Sequence, residues 1–307
     1  MEILRTAPNP WGQDVLLGIG WDLVWLAVVA SAVFVLAHMA FMMTRSGSGK
    51  AGGNTEADAG AESGDASARV PRHGVAARAF HWTMALAMLV LLVTAFVPVL
   101  GLQFPWVSVH WIAGVVLTAS ILYHVVHVFG WQDFWAMWVK PSELGEGMVE
   151  LKHALGVGSG EAPRAPGKYA FDHKLYHHLA ATAGLGAIAT GLLMMVRIDT
   201  PLWTRNPYLL SDGTWGAIYV IHGLAGVALI GLVTAHVYFA VRPEKRWMTW
   251  AMVNGWITRA RYLAHYDPEK WVVPGEGASR VGPTGGIGRT EGGAMVDSAV
   301  QAPREGG

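Results

Sequence analysis

Several histidines stand inside long apolar runs, where an ionisable side chain is costly and marks a functional position. His110 and His222 each sit near the start of such a run. Each is followed four residues later by a glycine, Gly114 and Gly226, and fourteen residues later by a second histidine, His124 and His236. Neutral imidazole is a ready ligand for haem iron. On a helix a glycine one turn below the ligand removes the side chain that would strike a porphyrin lying along the axis. Fourteen residues advance a helix by about 21 Å and return to within roughly 40° of the same face. Each run therefore carries two ligands on one stripe at two depths, a pattern suited to two stacked haems. The stretches Val109–His127 and Ile221–Tyr238 form an internal quasi-repeat.

A further histidine, His81 in Arg78-Ala-Phe-His81-Trp82, lies at the depth of His124 and His236, so three residues compete for the two axial positions of the second site. Repeat symmetry alone pairs His124 with His236. His38, His127, His177 and His178 read as helix-packing or interfacial residues.

These residues must be positioned by membrane-spanning helices. Five apolar runs, at about Leu23–Met43, Phe80–Leu100, Val109–Phe129, Leu175–Val196 and Ile218–Val241, are each near the roughly 20 residues needed to cross the hydrocarbon. The expected fold is an all-α integral membrane protein: a four-helix transmembrane cytochrome b bundle plus one extra N-terminal transmembrane helix. Expected boundaries are 1–45 for the N-terminal segment and its helix, 46–68 for a Gly/Ala/Ser-rich flexible linker, 69–273 for the di-haem domain and 274–307 for a Gly-rich disordered tail. The amino end lacks the basic segment of a secretory signal and its apolar run is long for one, so the first helix is expected to stay.

Lys and Arg follow the first, third and fifth runs, whereas the Pro98–Ser108 connection has no ionisable residue. The retention of basic residues on the cytoplasmic side predicts an outside amino terminus and an inside carboxy terminus in a bacterial inner membrane.

Composition supports this reading and excludes others. The 307 residues are 52% hydrophobic and only 14% charged, against roughly a quarter charged in soluble domains. Net charge is zero, which gives nucleic acid no electrostatic attraction. Cysteine is absent, which excludes disulfides, thiolate iron–sulfur clusters and covalent Cys-x-x-Cys-His haem attachment. Fifteen tryptophans suit the aromatic belts at the membrane interfaces. A histidine-lined divalent-metal transporter is the contrasting class, but it would be expected to place carboxylates at midplane. The acids within or beside the runs, Asp22 and Asp172, lie at ends.

The stretches Arg-Ala-Phe-His81-Trp-Thr, His110-Trp-Ile-Ala-Gly-Val, Gly167-Lys-Tyr169, Ile-His222-Gly-Leu-Ala-Gly and His236-Val-Tyr-Phe-Ala carry a family resemblance. From Arg69 to about Val273 the chain resembles the gamma subunit, a di-haem cytochrome b, of membrane-bound formate dehydrogenase of the nitrate-inducible type. The resemblance implies two haems b, the outer held by His110 and His222 and the inner by His81, rather than His124, with His236. It implies a catalytic dehydrogenase subunit and an iron–sulfur subunit as partners, with electrons leaving to membrane quinone on the cytoplasmic side. The family's quinone pocket uses an Asn and a Gly just after the Lys-Tyr pair. Here those positions read Ala170 and Asp172. Asp172, His173 and Lys174 are the nearest candidates for proton or quinone contacts. The same architecture also serves thiosulfate reductase and nickel–iron hydrogenase, because fold and haem ligation do not encode the donor.

Overall fold

The computed structural model of the chain describes residues 2–46, 68–131, 134–154 and 165–273. One compact unit spans Met1–Trp271, and the second, Val272–Gly307, lies almost wholly outside the described residues. The expected linker and tail likewise fall almost entirely outside them.

Every apolar run of the sequence is a helix: α1 (Trp21–Ser46), α2 (Val75–Phe96), α3 (Trp106–Trp131), α5 (Phe171–Met194) and α6 (Asp212–Val241). All five are long and apolar enough to cross a membrane. Uniformly apolar segments of this length bury their own backbone hydrogen bonds, which is what a spanning element requires. The helices pack in pairs, α2 with α3 and α5 with α6, with α1 laid against α6. The α2–α3 connection turns through a short 3-10 segment, Val97–Leu100, and Gly101 at φ 81°. Helix α6 begins with a side-chain cap, in which Ser211 Oγ accepts from the Thr214 amide.

Two small caps close the ends of the bundle. At one end, β1 (Leu4–Pro8) and β2 (Asp14–Ile19) form an antiparallel hairpin that packs on the first half of α6. Close approach is possible because α6 presents glycines there: a Cβ on Gly216 would lie 2.7 Å from Leu16 Cβ, and one on Gly223 2.7 Å from Ile19 Cγ1. Nothing in the sequence reading marked this hairpin.

The opposite end is basic and aromatic. Here α4 (Glu143–Ala154), α7 (Arg246–Asn254) and α8 (Arg259–His265) join a two-stranded ladder of β3 (Arg69–Pro71) and β4 (Trp256–Thr258). The cap is tied to α2 by Arg78 Nη1 donating to the Val253 carbonyl and by Trp82 Nε1 donating to Met252 O at 3.0 Å. Tyr262, fully buried, donates its hydroxyl to the Trp271 carbonyl. Lys174, 6% exposed, reaches from α5 to both carboxylate oxygens of Glu143 at 2.7 and 2.9 Å. Burial pushes the Glu143 carboxyl up. Hydrogen bonds from Lys174 and from the Lys140 amide, with the charges of both lysines, outweigh it and hold the carboxyl below the usual range.

Candidate functional site

The histidines of the bundle meet in two pairs. At the hairpin end, His110 from α3 faces His222 from α6, with ring centroids 6.2 Å apart. At the basic end, His81 from α2 faces His236 from α6 at 6.3 Å. His222 and His236 lie on one continuous helix, fourteen residues and therefore about 21 Å apart along the axis. Among the described residues no three of His, Asp or Glu converge as a metal site, so these are sites of paired ligands.

A metal bonded to one nitrogen of each imidazole at roughly 2 Å sets the two ring centroids about 6 Å apart. Both observed separations therefore fit an iron held axially between two histidines. The helix flanks one turn from His110 and His222 are uncrowded. A Cβ added to Gly226 would meet nothing within 4 Å, and one on Gly114 would meet only Leu91 Cδ2 at 3.9 Å.

At the hairpin end both rings are oriented by threonine. The Thr94 hydroxyl has one hydrogen, and it is donated one turn back to the Val90 carbonyl at 2.7 Å. Its oxygen is then the acceptor for His110 Nδ1–H at 2.8 Å. Thr190 repeats the arrangement, donating to Gly186 O at 2.6 Å and accepting from His222 Nδ1 at 3.0 Å. The His222 Nδ1–H also reaches Ala187 O at 3.1 Å. Protons on both Nδ1 atoms leave the Nε2 lone pairs for a metal, the arrangement by which an outer partner fixes the tautomer of a ligand. Gly191 permits it on one side, because a Cβ there would lie 3.3 Å from His222 Cε1.

The basic-end pair is built differently. The Tyr176 ring stacks on His236 at 5.1 Å, and Trp82 meets His81 edge-on at 5.2 Å. His81 Nδ1 is buried with no protein partner. His124 does not reach His236. Its ring stacks flat on Phe80 of α2 at 4.2 Å.

Asp172 and His173, in the first turn of α5, lie beside this pair. Asp172 Oδ1 accepts from the His173 amide at 2.7 Å and lies 2.9 Å from His173 Nδ1, with both side chains partly open to solvent. Lys174, in contrast, is committed to Glu143.

Residues 72–255, well over half of the chain, match the family described as prokaryotic cytochrome b561. The chain belongs to that family. It is therefore a multi-pass membrane protein that carries haem b and transfers electrons, and the paired histidines are the residues suited to that group. No individual curated protein matches the chain.

Thr94, Thr190 and Gly191 escaped the sequence reading, because a lone Thr or Gly in an apolar helix reads as packing. One signal for the threonines was available: Thr94 follows His81 by thirteen residues, and Thr190 follows His177 by the same interval. The quasi-repeat therefore extends over both helix pairs.

Proposed function

We propose that the chain is the membrane-anchoring di-haem cytochrome b subunit of a respiratory oxidoreductase. It passes electrons from an outer-face dehydrogenase, of the formate dehydrogenase type, to quinone at the cytoplasmic side. His110 and His222 would hold one haem b near the outer face, and His81 and His236 a second near the cytoplasmic face. The observation that carries this reading is the presence of two histidine pairs, at 6.2 and 6.3 Å, at opposite ends of the same bundle. Bound haem supplies reversible one-electron chemistry at its iron.

The chain's own residues supply the rest. Thr94 and Thr190 hold the Nδ1 protons of the outer pair, and Gly114 and Gly226 keep the helix flanks clear. On the cytoplasmic side Asp172 and His173 form a partly solvent-open pair, with Oδ1 2.9 Å from Nδ1. Quinone reduction takes up protons as well as electrons, so an ionisable pair beside the inner site is the required delivery group. Substrate oxidation belongs to partner subunits, a catalytic dehydrogenase and an iron–sulfur protein, since this chain has no thiolate to hold such centres.

A pyridine haemochrome assay on the purified chain should give two haems b per polypeptide. One haem, or none, rejects the reading. Replacing Asp172 by Asn together with His173 by Ala should slow oxidation of the inner haem by a quinone analogue while both haem spectra stay intact. Unchanged kinetics would remove these two residues from the mechanism.

A further inference from the structure

Helix α1 supplies neither histidine of either pair, yet it meets α6 across a groove. A cavity of about 320 Å³ lies between the two helices, lined by Ala30, Ser31 and Phe34 of α1 and by Gly231, Thr234 and Ala235 of α6. That volume falls at the lower end of the range of small-molecule sites. Small residues keep it open, and a Cβ on Gly231 would already come within 3.9 Å of Ser31 Oγ. The Ser31 hydroxyl donates back to Ala27 O at 2.7 Å, so its hydrogen is engaged within α1 and the groove stays apolar. Phe34 is 43% exposed, so the groove opens sideways, toward the hydrocarbon around a spanning helix.

The groove ends on a polar pair. One turn on from Phe34 and Thr234 stand His38 and Tyr238, with Nδ1 and the phenol oxygen 2.8 Å apart. The Phe34 ring lies 6.0 Å from the His38 ring and 6.4 Å from that of Tyr238, which makes the apolar groove continuous with the pair. A neutral imidazole carries one N–H and a phenol one O–H, and their mutual bond uses one of the two hydrogens in either tautomer. One donor is left over, and neither side chain has another hydrogen-bond partner among the described residues. The boundary beyond is neutral: Arg242 Nε pairs with Glu244 Oε2 at 3.2 Å, and the two charges oppose each other at His38. A lipid phosphate meets no net cation there, whereas an uncharged carbonyl oxygen matches the one remaining donor. An uncharged carbonyl-bearing ring with a long apolar tail fits both parts of the site.

We propose that the α1–α6 groove is a binding site for an isoprenoid quinone, with a ring carbonyl on the donor left by His38 and Tyr238 and the tail along Ala30, Gly231 and Ala235. This rests on the reading that electrons leave the chain to quinone, and adds a second pocket apart from Asp172 and His173. Tyr238 follows His236 by two residues, about 3 Å along the axis and near the opposite face of α6. The contacts agree, since His236 meets His81 and Tyr176 while Tyr238 meets His38 of α1. A quinone ring held here stands one helix diameter, about 10–12 Å, from the inner histidine pair.

The test uses the full-length, haem-loaded chain in lipid nanodiscs and an azidoquinone with a decyl tail, cross-linked by light and mapped by peptide mass spectrometry. The wild type should be labelled on α1 and α6, and excess decylubiquinone should displace the label. His38→Leu and Tyr238→Phe each leave one hydrogen on the pair, and each should weaken binding by less than about threefold. The double change removes both hydrogens and should weaken it about tenfold, the scale of one lost hydrogen bond. Ala30→Leu, which fills the groove and leaves the pair untouched, should weaken it at least as much, and it serves where the double variant does not accumulate. Haem content and both haem spectra should stay as in the wild type. Label that avoids α1 and α6, or binding unchanged in the double variant or in Ala30→Leu, overturns the proposal. So does label displaced by added phosphatidylglycerol but not by decylubiquinone, since the groove then holds lipid. Oxidation of the reduced inner haem by decylubiquinone separates the two readings: oxidation with an unlabelled groove fails this pocket alone, and no oxidation at all fails the quinone reading with it.

Discussion

The two histidine pairs have nearly the same ring separation, 6.2 and 6.3 Å, yet are held by opposite physical means. At the hairpin end each ring is anchored by a hydroxyl that has already given its proton to the backbone. The connection above it, 98–108, carries no ionisable residue. At the basic end the rings are held by aromatic contacts with Tyr176 and Trp82, and the surroundings are dense in arginine and lysine. One repeat thus yields a neutral, hydrogen-bonded site and a charged, aromatic one. The difference gives direction: an acceptor hydrogen bond to Nδ1–H makes the imidazole a stronger donor and favours oxidised iron, whereas nearby cations favour reduced iron.

The largest test removes one site at a time. His222→Ala should abolish the outer haem signal and His236→Ala the inner, each halving the pyridine haemochrome yield. His81→Ala should behave as His236→Ala and His124→Ala should keep both haems. Loss of a haem in His124→Ala but not in His81→Ala would mean that the repeat, and not the observed pairing, sets the ligands.

The second test separates the anchors. Thr94→Val and Thr190→Val remove the outer partner of a ligand, which costs on the order of 10- to 100-fold in affinity for a bound metal group. Haem retention on dilution should fall at the outer site and its midpoint potential should rise, with the inner signal unmoved. Equal effects at both sites would erase the contrast.

Third, the basic end should be the one whose stability depends on charge. Glu143→Gln strands the buried Lys174 ammonium and should cost about 3 kcal/mol in thermal denaturation. That is the low end for a broken buried pair, because the Glu143 side chain is 27% exposed. The folded-state pKa of Glu143 is lowered, so the pair contributes fully above the ordinary carboxyl value of 4.5 and its contribution fades as pH falls through the lowered value. The wild type should lose this increment on acidification and the Gln variant should not.

The smallest effect belongs to the hairpin end. Gly216→Ala would put a Cβ 2.9 Å from the Leu16 carbonyl oxygen, and backbone yields poorly. Offset by the better helix propensity of alanine, the net cost should be about 1 kcal/mol, measured as a loss of thermal stability with unchanged haem potentials.

The five helices and the fourteen-residue histidine spacing within α3 and α6 were legible because both are local. About 20 apolar residues have no other way to satisfy their backbone in lipid, and an interval of fourteen on a helix fixes a face and a depth without reference to any neighbour. The terminal caps were not legible. The hairpin Leu4–Ile19 lacks a strong turn pair, and the strands Arg69–Pro71 and Trp256–Thr258 are three residues each, stabilised by pairing across more than 180 positions of sequence.

By itself, the sequence determined that His222 and His236 lie on one stripe of one helix, that His110 and His124 repeat the pattern, and that no thiolate chemistry is present. Only the tertiary structure decided which ring faces which. Helix α2 packs with its His81 face turned to α6 and its Phe80 face turned to His124, a choice set by side-chain packing between helices and invisible in any one of them. The same packing brought Thr94 and Thr190 to the hairpin-end imidazoles. The two sites differ because hydrogen bonds and charges act over a few ångströms between residues that the chain separates by tens of positions.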